Sequence, residues 1–413
     1  MTPKQTSSGQ RIITGLDIGT TKICAIIGQC DEQNELRVLG MGSNPSKGLR
    51  KGMVVDFNST VDSIEKAVSK AEQIAGVEAR EVYVGITGGH MKSYNNRAAV
   101  EISSPMRGVY RTDLERVIEA AEQRDLPPDH EIIFCSPEEF FCDGVLIKSP
   151  EGRHCQKLEV NCHVVITNVT AGQNLTRCIS HAGLRLANML FESVASAQST
   201  LNDNEKDLGA LMIDIGGGTS DLIIYEDKSI RHSACIPYGG DDITSDIQRA
   251  FNISALDAEN IKKRSGSAYA AKVDEGEMLE LNCVFSDKRL KIRRRQLAEI
   301  IQARCQEILE LIWKNVEESS FNSAHIGGII LTGGTSLLEH LPALCERMHR
   351  RPVKIGLPQN IKGMTSIAAS PIYATAIGLL LYGLTIPPNM QLTGGGYLKK
   401  IKVFFQSFTD WYG

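Results

Sequence analysis

A chain of 413 residues, 42% hydrophobic and 23% charged, is a globular protein of more than one domain, because a single core stops growing well below that length. Its net charge of -4 supplies no global basic field, so no nucleic-acid partner is expected. The polar start MTPKQTSSGQ lacks a secretory signal's apolar run, no stretch reaches the roughly 18 apolar residues of a membrane span, and the eleven cysteines show no metal-knuckle spacing; a cytoplasmic protein with reduced, buried thiols is expected.

The first element reads as a β-hairpin. The apolar run RIITGL leads into GLDIGTTK (Gly15 to Lys22) and on into ICAIIG, two short strands around a glycine turn. Glycine lets consecutive backbone N–H groups close on an anion, so Gly19, Thr20, Thr21 and Lys22 form a candidate phosphate site with hydroxyl donors and one point charge. Asp17 at the strand end would repel a phosphate. It fits if Mg²⁺ lies between them, reached through waters that this cation gives up reluctantly.

Further along, RTDLERVIEAAEQRD reads as a helix with Thr112 as N-cap, Glu115 closing a capping box, and Leu114, Val117, Ile118 and Ala121 on its apolar face. Pro127 and Pro128 stop it. About half a chain after the first hairpin the pattern returns as GALMI, LMIDIGGGTSDL (Leu211 to Leu222) and LIIYE. Asp214 repeats Asp17, and Gly216, Gly217, Gly218, Thr219 and Ser220 repeat the phosphate turn. Two copies imply two similar halves facing one another across one anion.

PYGGDDITSDIQRAFNI gives a glycine turn opening a helix, and KIRRRQLAEIIQARCQEILELIW a strand running into a long amphipathic helix with Leu297, Ile300, Ile301, Ile308, Leu309 and Ile312 inward. GGIILTGGTSLLEHLPAL (Gly327 to Leu344) gives a buried strand, a turn at Gly333, Gly334 and Thr335, and a helix expected to open at Ser336; a nucleoside can lie on such a turn. It is neither GxGxxG nor a P-loop. TIPPNMQLTGGG is then a tether without structure of its own. In YLKKIKVFFQSFTDWYG, Leu398, Ile401, Phe404, Phe405, Phe408 and Trp411 share a helical arc of roughly 140°, with Lys399 and Lys400 outside it. Aromatics and lysines on a tethered helix suit the surface of an anionic membrane.

The ordered series LDIGTTK, MIDIGGGTSDLIIY and IILTGGTSLLEHLPAL resembles the two phosphate motifs and the adenosine motif of the actin, heat-shock chaperone and sugar-kinase superfamily. LFESVASA (Leu190 to Ala197) and SPIYATAIGLLLYG (Ser370 to Gly383) resemble its two connecting helices, with Ala195, Ala197, Ala374, Ala376 and Gly378 permitting a close crossing. GITGGHMKSYN, PPDHEIIFCSPEEFFCDG and KLEVNCHVV are similar to an insertion special to the FtsA family of bacterial cell-division proteins.

That resemblance implies an α/β, actin-like two-lobed ATPase fold with ribonuclease-H-like halves. Residues 11–84 and 164–204 would form the first large subdomain and 85–163 a small inserted α/β subdomain. Residues 205–239 and 311–384 would form the second large subdomain, 240–310 a smaller one, 385–396 a linker and 397–413 the amphipathic helix. It implies ATP and Mg²⁺ as cofactors, with Glu259 and Lys262 against the adenosine. Glu192 would orient the attacking water, with at most slow ATPase activity; Ser193 stands where relatives carry proline. It also implies self-assembly into polymers on the inner face of the cytoplasmic membrane at the division septum. Arg304 and Glu307 would contact the tubulin-like partner FtsZ, whose ring the chain would anchor, and later division proteins would dock on the inserted subdomain. The alternatives on the same fold are an ATPase or kinase acting by turnover and a scaffold of pilus or secretion machinery.

Overall fold

A computed structural model of the chain describes residues 11–386 apart from 31–34, 104–107, 124–125, 286–288, 360 and 365–367. β1 (Arg11–Ile18) and β2 (Lys22–Cys30) pair antiparallel with Ile18 opposite Ile23, so Gly19, Thr20 and Thr21 make the turn. β3 (Leu36–Pro45) pairs antiparallel with β2. A two-residue hairpin, β4 (Leu49–Arg50) with β5 (Met53–Val54), leads to α1 (Phe57–Ala75), where the Asp56 carboxylate caps the first turn by accepting from the Ser59 N–H at 3.1 Å. β6 (Glu81–Ile86) lies parallel to β1.

The insertion consists of β7 (Lys92–Glu101), α2 (Arg111–Glu122), β8 (His130–Cys142), β9 (Val145–Ile147) and β10 (Lys157–Asn168). Its antiparallel sheet has the order β7-β10-β8-β9 and its own core, in which Val117 and Ile118 of α2 meet Leu158 and Val160 of β10. The helix start differs from the sequence reading. Thr112 is exposed and lies inside α2; the buried Asp113 closes the first turn by accepting from the Tyr110 N–H at 3.0 Å.

The far end of α2 carries a second buried carboxyl. Glu122 is 6% exposed, one of its oxygens lacks a partner, and burial pushes its pKa from 4.5 to about 8. A folded pKa raised above the unfolded one gives stability that is complete below 4.5 and is lost as pH rises through 8. Glu122→Gln should therefore raise stability at pH 9 by roughly 1–3 kcal/mol and change little at pH 4. Calorimetric melting of both chains across that range checks it.

After α3 (Val169–His181), β11 (Arg185–Phe191) lies parallel to β6, and the first sheet reads β11-β6-β1-β2-β3. α4 (Glu192–Thr200) and α5 (Asp203–Leu208) lead to β12 (Ala210–Ile215), β13 (Ser220–Glu226) and β14 (Ser229–Ile236), antiparallel neighbours with Gly216 to Thr219 as the turn. Next come α6 (Gly240–Phe251), α7 (Ala255–Ser265), the hairpin β15 (Met278–Asn282) with β16 (Arg289–Arg293), and α8 (Arg294–Glu318). β17 (Gly328–Thr332), α9 (Leu341–His349) and β18 (Val353–Ile355) complete the second sheet, whose order β14-β13-β12-β17-β18 repeats the first: three antiparallel strands, then two parallel ones. This is the actin-like layout of two ribonuclease-H-like halves with a small α/β insertion.

The helix expected at Ser336 opens instead at Leu341, after a 3-10 turn over Gly334–Leu337. Pro342 explains the shift: it occupies the second position of α9, whereas a helix from Ser336 would bury it in the interior, where it lacks the N–H and clashes with the preceding turn. The last described segment returns to the first half. β19 (Lys362–Gly363) pairs with β3, and α10 (Ala374–Thr385) packs on β1, β2, β6 and α4, although the bounds expected from the resemblance group both with the second half. Among the described residues no helix is long and apolar enough to cross a membrane.

Candidate nucleotide site

The two glycine turns meet in a cavity of about 620 Å³ between the halves. Asp17, Gly19, Thr20, Thr21, Lys22, Glu192, Asp214, Gly216, Gly217, Gly218, Thr219, Glu259, Lys262, Gly333, Gly334 and Thr335 all line it. The turns touch: a Cβ on Gly217 would come within 1.7 Å of the Thr21 hydroxyl oxygen, and one on Gly218 within 2.6 Å of that of Thr20. Only glycine lets the second turn approach so closely. Behind it, Gly240 N–H donates to Gly216 O at 2.9 Å, Asp241 N–H to Gly217 O at 2.8 Å, and the Thr335 hydroxyl to Gly216 O at 2.9 Å. The start of α6 and the 3-10 turn after β17 thus hold the loop by its carbonyls.

Ser220 departs from this set. It begins β13, is fully buried and turns its hydroxyl away from the cavity to donate to Tyr238 O at 2.8 Å. Strand alternation places consecutive side chains on opposite faces, and here the next residue of β13, Asp221, takes the cavity side.

The electrostatics are one-sided. Burial, partly offset by Lys22 and reinforced by Asp214, raises Asp17 to about 6. Burial raises Asp214 against the hydroxyls of Ser196 (2.6 Å) and Thr375 (3.1 Å), both of which donate to its Oδ2. Burial and the neighbouring Asp214 raise Asp221 to about 7, although Thr87 donates to it. Glu192, the first residue of α4, is raised well above the carboxyl range by burial and by Asp17, Asp221 and Asp214, and its Oε1 has no partner. Lys22, donating to Ile372 O at 2.9 Å, is the nearby cation that lowers Asp17 and Asp214. Four buried carboxyl groups against one lysine call for either protons or a divalent cation. Among the described residues no group of three or more side-chain ligands is close enough to hold a metal directly.

On the opposite wall, Lys262 bonds Glu259 at 2.6 Å, Gly240 O at 2.7 Å and the Thr244 hydroxyl at 2.7 Å. Burial opposes charge on Glu259, but Lys262 and the donors around it outweigh that and hold its pKa at about 2. This wall is a fixed ion pair. Arg304 and Glu307 line no part of the cavity: on α8, Arg304 grips Asp246 of α6 with two nitrogens (2.6 and 3.1 Å) and bonds Glu307 at 2.5 Å. The residues expected at a membrane surface, Leu398, Lys399, Lys400, Ile401, Phe404, Phe405, Phe408 and Trp411, lie outside the described residues.

Asp221, Asp241, Lys263, Arg264, Glu339, Ile372 and Thr375 also line the cavity and were not singled out by sequence. Asp221 carried a usable signal, since it closes the DIGGGTSD run. Thr375 carried none.

The profile described as "Cell division protein FtsA" matches residues 211–378, and that described as "SHS2 domain inserted in FTSA" matches 88–166. The cell division protein FtsA of Pseudomonas aeruginosa is 37% identical over 94% of this chain and 93% of its own length; that of Neisseria meningitidis is 34% identical over 96% and 99%. The chain belongs to the FtsA family. Solved structures share the fold at lower identity. The PilM-PilN type IV pilus biogenesis complex aligns with TM-score 0.63 at 17% identity over 90% of this chain and 98% of that one. MreB5 of Spiroplasma citri bound to ADP aligns with TM-score 0.54 at 17% identity over 89% and 94%. Family membership makes this a cell-division protein rather than the pilus scaffold or sugar kinase that the fold alone would allow.

Proposed function

We propose that the chain binds Mg-ATP between its halves, assembles on the inner face of the cytoplasmic membrane at the division septum, and anchors the FtsZ ring there. The observation that carries the nucleotide reading is the meeting of two glycine turns over buried carboxyl groups. The MreB5 structures, one bound to ADP and one to AMPPNP, support it by sharing the fold. The residues present fit the cation: Asp17 and Asp214, buried at the ends of the two facing strands, would hold Mg²⁺ through waters. Bound there, Mg²⁺ would neutralise phosphate charge.

Gly19, Thr20, Thr21, Lys22 and the turn from Gly216 to Thr219 hold the phosphates. Glu259 and Lys262 face the adenosine together with Gly333, Gly334 and Thr335. Glu192 orients a water through its unpartnered oxygen, with at most slow turnover. FtsZ docks on α8 at Arg304 and Glu307, and later division proteins dock on the insertion.

The tail reaches the membrane. Each apolar side chain contributes up to ~1.5–3 kcal/mol if fully buried, each lysine ~1 kcal/mol near anionic lipid, and ordering the helix offsets much of this. One tail therefore holds reversibly, and several on one polymer hold together. Co-sedimentation with anionic liposomes, with and without Mg-ATP, tests the whole reading. Deleting 397–413, or Phe404→Glu with Trp411→Glu, should abolish sedimentation while Mg-ATP binding persists. A truncated chain that still sediments refutes the tail.

A further inference from the structure

The insertion is covalently part of the first half, yet its sheet rests on β14 of the second. Ser93 Oγ donates to Ser233 O at 2.5 Å and Asn95 Nδ2 to Arg231 O at 3.0 Å. Ser229 Oγ donates to Glu138 O at 3.1 Å, and Arg231 pairs with Glu139 at 2.9 Å. At the centre sits His163 of β10, 0% exposed, with Nδ1 at 2.7 Å from Asn95 Oδ1 and Nε2 at 2.8 Å from Ser233 Oγ. At the insertion's root, Thr87 donates to Asp221, which stands opposite Cys235 of β14 in the sheet and lines the cavity.

Such a contact has no intermediate setting. Both nitrogens of a fully buried imidazole are engaged, so partial separation would leave buried polar atoms unpaired, at the cost of their desolvation. The cavity lies between the halves and the insertion bridges the same halves beside it, so one relative motion acts on both.

We infer that the insertion is a strap across the nucleotide cleft: closing the halves on a nucleotide seats it on β14 through His163 and Ser233, and opening them lifts it off. The inference rests on the nucleotide reading above. The surface that the insertion offers to partners is then set by what occupies the cleft, through Asp221 and Thr87 and through the shared rigid-body motion.

Diethyl pyrocarbonate labelling of the full chain, read residue by residue by mass spectrometry, tests it. The exposed His154, on the same insertion, is the internal control. ATP occupancy is measured by filter binding in the same samples. Mg-ATP should slow labelling of His163 by roughly 5- to 150-fold, the usual span of coupling between two sites, and leave His154 unchanged. In Ser233→Ala the His163 rate should become fast and independent of Mg-ATP, with ATP still bound. Bound ATP with an unchanged His163 rate in the natural chain overturns the strap, as does a Ser233→Ala chain that labels like the natural one. Absence of ATP occupancy overturns the nucleotide reading, and the strap with it.

Discussion

Asp214→Asn should lower Mg-ATP affinity by about 100-fold or more, corresponding to loss of about 3 kcal/mol or more at a buried charge partner, and should raise the melting temperature of the nucleotide-free chain. The opposite signs have one cause. Without nucleotide, Asp214 is a buried carboxyl whose pKa burial raises, and Asp17, Glu192 and Asp221 are each raised partly by it. Asparagine keeps the shape and the acceptor for Ser196 and removes one charge from that cluster. With Mg²⁺ present, that charge is what the cation needs.

The same groups set the pH dependence. Asp17 at about 6 and Asp221 at about 7 carry protons below those values, and a cation must displace them. Affinity for Mg-ADP should therefore climb as pH rises through 6 and 7 and level off once both carboxyls are ionised. Calorimetric titration in two buffers of different ionisation heat counts the protons released at pH 6. A pH-independent affinity with no proton release, or an Asp214→Asn affinity within threefold of the natural chain, would remove these carboxylates from the site.

The sequence carried what depends on local pattern. Two hairpins with glycine turns, α8 after its strand, and the cavity's turn residues with Asp17 and Asp214 are readable because each rests on a run of adjacent residues: apolar alternation, glycine at a turn, a strand-end carboxylate; Glu192, Glu259 and Lys262 come from the family resemblance instead. What it concealed depends on partners distant in the chain. Thr375 reaches Asp214 because α10 crosses the first sheet, and nothing near Thr375 in sequence announces that. Asp113 displaced Thr112 at the start of α2 through its burial. Ser220 left the phosphate set because Tyr238 O, on another segment, takes its hydroxyl. The start of α9 was legible in principle from Pro342 and was outweighed in reading by the more conspicuous Gly-Gly turn.

Gly378→Val should leave no stably folded chain. α4 and α10 cross backbone on backbone: a Cβ at 378 would lie 1.7 Å from the Ala195 carbonyl oxygen and 2.3 Å from its carbon. Those are main-chain atoms in mid-helix, so no rotamer change relieves the contact and the helices must separate. Overpacking typically costs 1–3 kcal/mol where side chains can shift; a rigid main-chain clash belongs to the rarer class above ~4 kcal/mol, against a typical total of 5–15 kcal/mol. Alanine at the same position brings the same Cβ against the Ala195 main chain but not the two further methyl groups of valine, so the helices part by less and a destabilised but folded chain remains for assay. Ser196 on α4 and Thr375 on α10 both hold Asp214, and they bond each other at 2.9 Å. Gly378→Ala should therefore weaken Mg-ATP binding by roughly tenfold, the loss of one charge-assisted hydrogen bond, though residue 378 lines no part of the cavity. If its melting temperature falls while nucleotide affinity stays unchanged, the crossing is only packing. If both fall together, the small residues of the two connecting helices act as positioning residues for Asp214, through the carboxylate they jointly hold.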